Sequence, residues 1–280
     1  MSADVLRLAT WNVNSIRARV DRVVDWLGRA DVDVLAMQET KCADDQFPPT
    51  MPFLEAGYEV VHCGFNQWNG VAIASRVGFD DVQVGFDGQP SWGGKDDDAK
   101  AEARALAATC GGVRVWSLYV PNGRTLADPH YQYKLEWLAA LRNTAEAWLQ
   151  DDPQAPIALV GDWNIAPTDE DVWDISVFHG ATHVSEPERK AFNDIVETKF
   201  TDVVRPFTPP GPPGVYTYWD YTQLAFQKRR GMRIDFILGS PALAERVTHA
   251  EIVKDERRPG KKGDPSPPSD HAPVLVDVSR

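Results

Sequence analysis

The chain has 280 residues, 43% of them hydrophobic and 25% charged, a globular composition that excludes a disordered, collagen-like or coiled-coil chain. Its three cysteines, Cys42, Cys63 and Cys110, lie far apart with no CxxC pair, which excludes a disulfide framework and a zinc finger and fits a reduced, cytoplasmic setting. A formal net charge of −12 argues against nucleic acid, but residues 228–280 hold 11 Lys and Arg against 8 Asp and Glu, with basic clusters at Lys228-Arg229-Arg230 and at Arg257-Arg258 with Lys261-Lys262.

In chain order, Val5 to Trp11 alternates apolar and polar residues as a strand does. Val20, Val23, Val24 and Leu27 share a helical face, and Val32 to Met37 is a compact apolar strand. Short strands are expected at Val60 to Val61, Val71 to Ala74 and Val82 to Phe86. Ala105 to Thr109 and Val113 to Tyr119 flank Gly111-Gly112, a hairpin signal. Tyr131 to Leu149 reads as a long helix, with Leu135, Leu138, Leu141, Ala145 and Leu149 on its apolar face. Ile157 to Val160, Val215 to Tyr218, Ile234 to Leu238 and Val274 to Val278 read as strands. Hairpins interrupted by helices predict a layered α/β domain. The Pro/Gly-rich stretches 209–214 and 259–268 and the acidic stretch 93–98 are expected to be loops inside one domain spanning 1–280. No apolar run approaches the roughly 20 residues of a membrane helix, and residues 1–7 lack an apolar signal core, so no membrane partner is expected.

Five segments carry polar residues at or beside the end of an apolar strand. In Thr10-Trp11-Asn12-Val13-Asn14, the Asn12 amide oxygen can serve a hard cation, or simply a strand-to-helix turn. Gln38-Glu39-Thr40-Lys41 puts a carboxylate where Mg²⁺ is readily held, or where a loop acid is merely exposed. In Tyr119-Val120-Pro121-Asn122-Gly123-Arg124, the tyrosine hydroxyl and Arg124 can hold phosphate oxygens; a Pro-Asn-Gly turn is the alternative. In Gly161-Asp162-Trp163-Asn164, Gly161 is expected to let the chain turn sharply. Asp162 and Asn164, two apart, face one side if extended, one to handle a water and one to meet a developing oxyanion. Asp235 sits inside the apolar strand after Arg233 and needs a partner, which Arg233 or the backbone can supply. Asp270-His271 precedes the last strand, and an Asp that orients an imidazole is a recurrent catalytic device. This inventory suits metal-assisted phosphodiester hydrolysis, whereas GxSxG, P-loop and strand-following GxGxxG motifs are missing.

Thr10 to Arg19, Gln38 to Lys41, Tyr119 to Gly123, Gly161 to Pro167, Arg233 to Leu238 and Ser269 to Pro273 occur in the order seen in the exonuclease III family. These are the abasic-site endonucleases of the endonuclease/exonuclease/phosphatase superfamily. The resemblance covers residues 5 to 278, and QETK, GDWN and SDH in this order are its specific signature. It implies a four-layer α/β sandwich, two facing mixed β-sheets flanked by helices. It also implies a DNA repair nuclease cutting 5′ to abasic sites, with 3′→5′ exonuclease and 3′-phosphatase activity, dependent on Mg²⁺ or Mn²⁺. Carried over by motif, Glu39 resembles the principal metal carboxylate with Asn12 beside it, and Asp270 an additional ligand. Asp162 resembles the residue that positions the attacking water or protonates the leaving oxygen, and Asn164 the transition-state donor; both are also candidate ligands. His271 resembles the phosphate-binding residue, the base or a ligand, with Asp235 orienting it; Tyr119 resembles the tyrosine supporting the leaving group. Asn122 and Arg124 are implied to contact DNA, and Tyr218, Trp219 and Met232 to wall a slot for a base-less sugar, Met232 standing where some relatives carry Trp. Duplex DNA with abasic sites or 3′ ends is the expected partner of a monomer acting at the nucleoid. Two other readings compete: a lipid or inositol phosphodiesterase on the same core, and a silent relative that only binds.

Overall fold

The computed structural model describes residues 5–48, 51–93, 102–208, 215–260 and 263–280. The expected loop at 209–214, most of 93–98 and Lys261-Lys262 lie outside the described residues. The strands are β1 (Val5–Asn12), β2 (Val34–Gln38), β3 (Glu59–Cys63), β4 (Val71–Ser75), β5 (Asp80–Val84), β6 (Ala105–Cys110), β7 (Val113–Tyr119), β8 (Ile157–Asp162), β9 (Thr201–Asp202), β10 (Asp235–Gly239), β11 (Val247–Ile252) and β12 (Val274–Ser279). The α-helices are α1 (Val20–Ala30), α2 (Met51–Glu55), α3 (Pro129–Asp151), α4 (Glu186–Glu197) and α5 (Pro241–Ala244).

In β1, Leu6 and Leu8 join one hydrophobic layer and Ala9 and Trp11 another, all four fully buried. A strand covered on both faces belongs to the interior of a layered fold. One sheet runs β11-β12-β1-β2-β4-β3 and the other β5-β6-β7-β8-β10-β9. Each has one parallel pair, β1–β2 joined through α1 and β7–β8 joined through α3, flanked by antiparallel neighbours. The sheets meet through Leu8, Val34, Ile73, Leu106, Val160 and Ile237. Val23, Trp26 and Leu27 of α1 cover the first sheet at Trp11 and Leu35, and Trp137 and Leu141 of α3 with Phe192 of α4 cover the second at Trp116 and Phe236. Each such fully buried Leu or Phe stabilises the fold by about 1.5–3 kcal/mol. The result is the expected four-layer sandwich.

Three readings of the sequence need correction. Val215 to Tyr218 is not a strand: Thr217 and Tyr218 both donate to the Met232 carbonyl, and Tyr218 makes only isolated bridges to Met232 and His271. Gly161 does not make a turn. It lies within β8 at φ +146, where a Cβ would fall 1.9 Å from the Leu118 carbonyl oxygen, so glycine is required for β7 and β8 to approach. Asp162 and Asn164 are not in one extended run, because Asn164 adopts φ +51. The apolar periodicity also misses the short α2, β9 and α5, the edge strand β11, half of whose residues are exposed, and α4, whose start is marked by the Ser185–Glu188 capping box.

Parallel neighbours end at the same edge. The ends of β1, β2, β7 and β8 therefore share an edge with the start of antiparallel β10 and the segment entering β12.

Candidate active site

At that edge Asn12, the last residue of β1, bridges the two sheets. Its Nδ2 donates to Glu39 Oε1 at 2.8 Å and to Asp162 Oδ2 at 2.9 Å, while its Oδ1 accepts from the Asn14 amide at 3.0 Å. Glu39 directly follows β2 in a left-handed backbone conformation (φ +53), an unfavourable geometry for a side chain of this kind. Lys41 holds it in place, with Nζ 2.7 Å from Glu39 Oε2 and 2.6 Å from Asn14 Oδ1. Burial opposes the Glu39 charge, yet Lys41 draws its carboxyl below the ordinary range.

Asp162 closes β8 opposite Asp235, the first residue of β10. His271 Nδ1 lies 2.8 Å from Asp235 Oδ2, and His271 Nε2 lies 3.9 Å from Asp162 Oδ2. The Trp11 indole donates to the His271 carbonyl at 3.0 Å and fixes the segment. Burial works against an imidazolium here, but the Asp235 charge, reinforced by Asp162 and Asp270, lifts His271 to about 10. Burial pushes the Asp162 carboxyl up to about 7; His271 pulls it down, and Asp235 and Glu39 push it up. Asp235 pairs with His271 rather than with Arg233, which bonds Asp171 at 2.8 Å and Asp202 at 2.7 Å. The Tyr119 hydroxyl, buried and facing the Glu39 charge, is held well above its ordinary range.

Asn164 caps this row. Its amide donates to Asp162 Oδ1 at 2.9 Å, so the Asx-type turn and the proximity to Asp162 are one feature. Its Nδ2 donates to the Val120 carbonyl at 3.0 Å, and its Oδ1 accepts from Asn122 Nδ2 at 3.1 Å. Three residues missed in the sequence support it. His183 Nε2 lies 3.1 Å from Asn164 Oδ1. Fully buried Lys134 donates to the Asn164 carbonyl at 2.6 Å and pairs with Glu188 at 2.5 Å. Burial and Lys134 depress His183 to about 3, so it is neutral. A lone Lys inside an amphipathic helix and a lone His in a loop give no sequence signal beyond their type.

Glu39, Asp162 and His271 offer ligand atoms that all lie within 4.8 Å of one another. The two carboxylates, oriented by the Asn12 amide N–H groups, are hard oxygen donors that fit a divalent cation. The other two implied ligands have protein partners: Asn164 Oδ1 is engaged by Asn122 and His183, and Asp270 Oδ1 accepts from Asn14 Nδ2 at 2.9 Å. Of the implied slot residues, the Tyr218 ring lies 5.0 Å from the His271 ring, while Met232 packs behind it with Val172 and Ile234. Trp219 does not reach the slot: it is buried with Tyr216, Ala225 and Ala272 in a separate cluster. Arg124 is exposed beside the site, 3.7 Å from Asp128. Part of the second basic sequence cluster is structural, since Arg257 is buried and donates to the Trp219 carbonyl.

The model of the Endonuclease/Exonuclease/phosphatase family matches residues 9–271. The chain is 28% identical to the exodeoxyribonuclease III of Haemophilus influenzae, over 97% of this chain and 99% of that protein. Among solved structures, the 3′ phosphatase NExo from Neisseria, bound to a product DNA hairpin, superposes with a TM-score of 0.87 at 34% identity, covering 98% of this chain and 100% of that one. An AP endonuclease from Archaeoglobus fulgidus gives 0.84 at 35%, covering 97% and 98%. The chain belongs to the endonuclease/exonuclease/phosphatase family, in its exonuclease III/AP endonuclease branch.

Proposed function

We infer that the protein is a metal-dependent DNA repair nuclease that hydrolyses phosphodiester bonds in duplex DNA. The observation that carries this reading is the convergence of the Asp235–His271 pair with Asp162, Asn12 and Glu39 on one edge of the sandwich. Its substrates are abasic sites, cut on their 5′ side, and 3′ ends, acted on as exonuclease and 3′-phosphatase. The relatives named above are an exodeoxyribonuclease III, a 3′ phosphatase and an AP endonuclease, and Tyr218 beside His271 offers an aromatic wall for a sugar without its base. The enzyme works as a monomer, one catalytic domain, at the nucleoid. Among the described residues no helix is long and apolar enough to cross a membrane.

Glu39, with Asn12 and Asp162 adjoining, would hold Mg²⁺ or Mn²⁺, which supplies charge neutralisation at the phosphate when bound. His271, kept as an imidazolium by Asp235, binds a phosphate oxygen. Asp162, poised near neutrality, positions the attacking water and takes its proton. Asn164 and Tyr119 border the same space and support the pentacoordinate phosphate and the leaving oxygen. Asn122 and Arg124 extend the contact along the strand.

The test is a labelled duplex with one abasic-site analogue, with and without EDTA, using wild type, Asp162→Asn and His271→Ala. Metal-dependent incision 5′ to the lesion, lost in both variants, is expected. No incision by wild type with any divalent metal overturns the abasic-site assignment, and inactivity on 3′-recessed duplex as well overturns the nuclease reading.

A further inference from the structure

Beyond the Tyr119 end of the site runs a groove of about 530 Å³ lined by Phe65, Trp68, Asn69, Trp92, Tyr119 and Arg124. Its inner end is shared with the site, since Tyr119 faces Glu39 and Asn122, also in the groove wall, bonds Asn164. Its outer end leaves two aromatic side chains open to solvent: Trp68 is 69% and Phe65 47% exposed. The groove has little free positive charge among its described residues. Arg104 is paired with Glu102 at 2.7 Å and covers the Tyr119 ring, and His130 is held neutral by burial, which leaves the exposed Arg124 at the rim, 3.7 Å from Asp128, as the lining's accessible cation. A track for backbone phosphates requires surplus cations, so this lining suits a base more than a phosphate. An independent observation agrees. Asn69 is 1% exposed and donates through Nδ2 to Glu102 at 3.1 Å, but its Oδ1 is buried without any partner. A buried acceptor left unsatisfied costs free energy, and an amino group entering the groove would relieve it.

We propose that this groove is a subsite for an unpaired nucleobase next to the scissile phosphate, stacked on Trp68 and donating its exocyclic amino group to Asn69 Oδ1. The proposal rests on the nuclease reading and narrows its substrate class to DNA whose strand is frayed or mismatched beside the cut. Only an unpaired base can present both its face and its pairing edge to the protein; in intact duplex the faces are stacked and the edges paired.

The experiment measures equilibrium affinity by fluorescence anisotropy in EDTA for two hairpins, one with a blunt paired end and one whose terminal nucleotide is mismatched. Wild type is expected to bind the mismatched end about tenfold more tightly, with adenine and cytosine preferred over thymine several-fold. Trp68→Ala is expected to bring the mismatched-to-blunt ratio towards one, and Trp68→Tyr to restore most of it; Trp68 is exposed, so neither change disturbs the core. A ratio near one in wild type, a ratio untouched by Trp68→Ala, or an equal loss on both hairpins overturns the subsite. Equal affinity for all terminal bases overturns the Asn69 contact. Hydrolysis of both hairpins is assayed separately with Mg²⁺ and Mn²⁺. Its absence would sink the nuclease reading alone, because the binding ratio is read without metal.

Discussion

Asp235 and His271 lie 36 residues apart in the chain, and Asp235 Oδ2 meets His271 Nδ1 at 2.8 Å, with neither residue more than 4% exposed. The contact arises because Asp235 opens β10 in one sheet and His271 precedes β12 in the other. It fixes the ring so that Nε2 faces Asp162 and keeps the imidazole charged.

Asp235→Asn keeps the shape and removes the charge. The His271 titration midpoint, read by NMR in the metal-free protein, is expected to move down from about 10. Catalytic rate is expected to fall by about 10²- to 10⁴-fold. The sign for stability follows from the raised value: the wild-type contribution is full below about 6.5 and is lost as pH rises towards about 10. Denaturant midpoints between pH 7 and 10 should therefore fall less steeply in Asp235→Asn. An unchanged slope would contradict the pairing.

Glu39→Gln is expected to abolish metal-induced stabilisation. In wild type, Mg²⁺ or Mn²⁺ at about a hundred times its Kd should stabilise the fold by about 2.7 kcal/mol, roughly 5 to 10 °C in Tm. Differential scanning fluorimetry with metal against EDTA reads this directly. A full metal shift in Glu39→Gln would remove Glu39 from the ligand set.

Desolvation depresses both His130 and His183, to about 4 and about 3. Their stability contribution is present above about 6.5 and is lost as pH falls through those values. Between pH 6.5 and 5 the loss is about 1–2 kcal/mol per histidine. His183→Gln, which keeps a donor near Asn164, should flatten the acid limb of urea midpoints measured from pH 7 to 5.

Lys134→Met leaves Glu188 charged and buried. It is expected to cost about 3–5 kcal/mol and to lower activity by loosening Asn164, whose carbonyl Lys134 holds. Lys134→Met with Glu188→Leu should recover most of the stability but not the activity. Recovery of both would show that Lys134 acts only through the fold.

Gly161→Ala drives a methyl into the Leu118 carbonyl and is expected to destabilise by about 3 kcal/mol or more. Gly28→Ala, in α1 with nothing within 4 Å of the added carbon, should instead stabilise by about 0.5–1 kcal/mol. Chemical denaturation of the two variants gives opposite signs.

The strands and long helices were legible because their side chains meet fixed layers. β1 alternates between two apolar faces, and α3 repeats its apolar residues at helical spacing. Asn12, Glu39, Asp162 and His271 were legible as polar residues at apolar strand ends, and the ordered motifs carried the family. Val215 to Tyr218 misled because Thr217 and Tyr218 share one carbonyl, and Tyr216 and Tyr218 pack into two separate hydrophobic clusters rather than along a ladder. Trp219 misled for a related reason, since an aromatic beside a site residue can as well turn into a core.

Composition, periodicity and motif order by themselves determined the layered α/β class, the residue types of the site and the family. Only the tertiary structure decided which residues meet. Two parallel pairs and two antiparallel strands bring their ends to one edge, and hydrogen bonds across 150 to 260 residues then set the partners. Whether Asp235 faces Arg233 or His271, and whether Asn164 leans on His183 and Lys134, depends on distances that local sequence does not encode, because these contacts join different elements of the fold rather than neighbours along the chain.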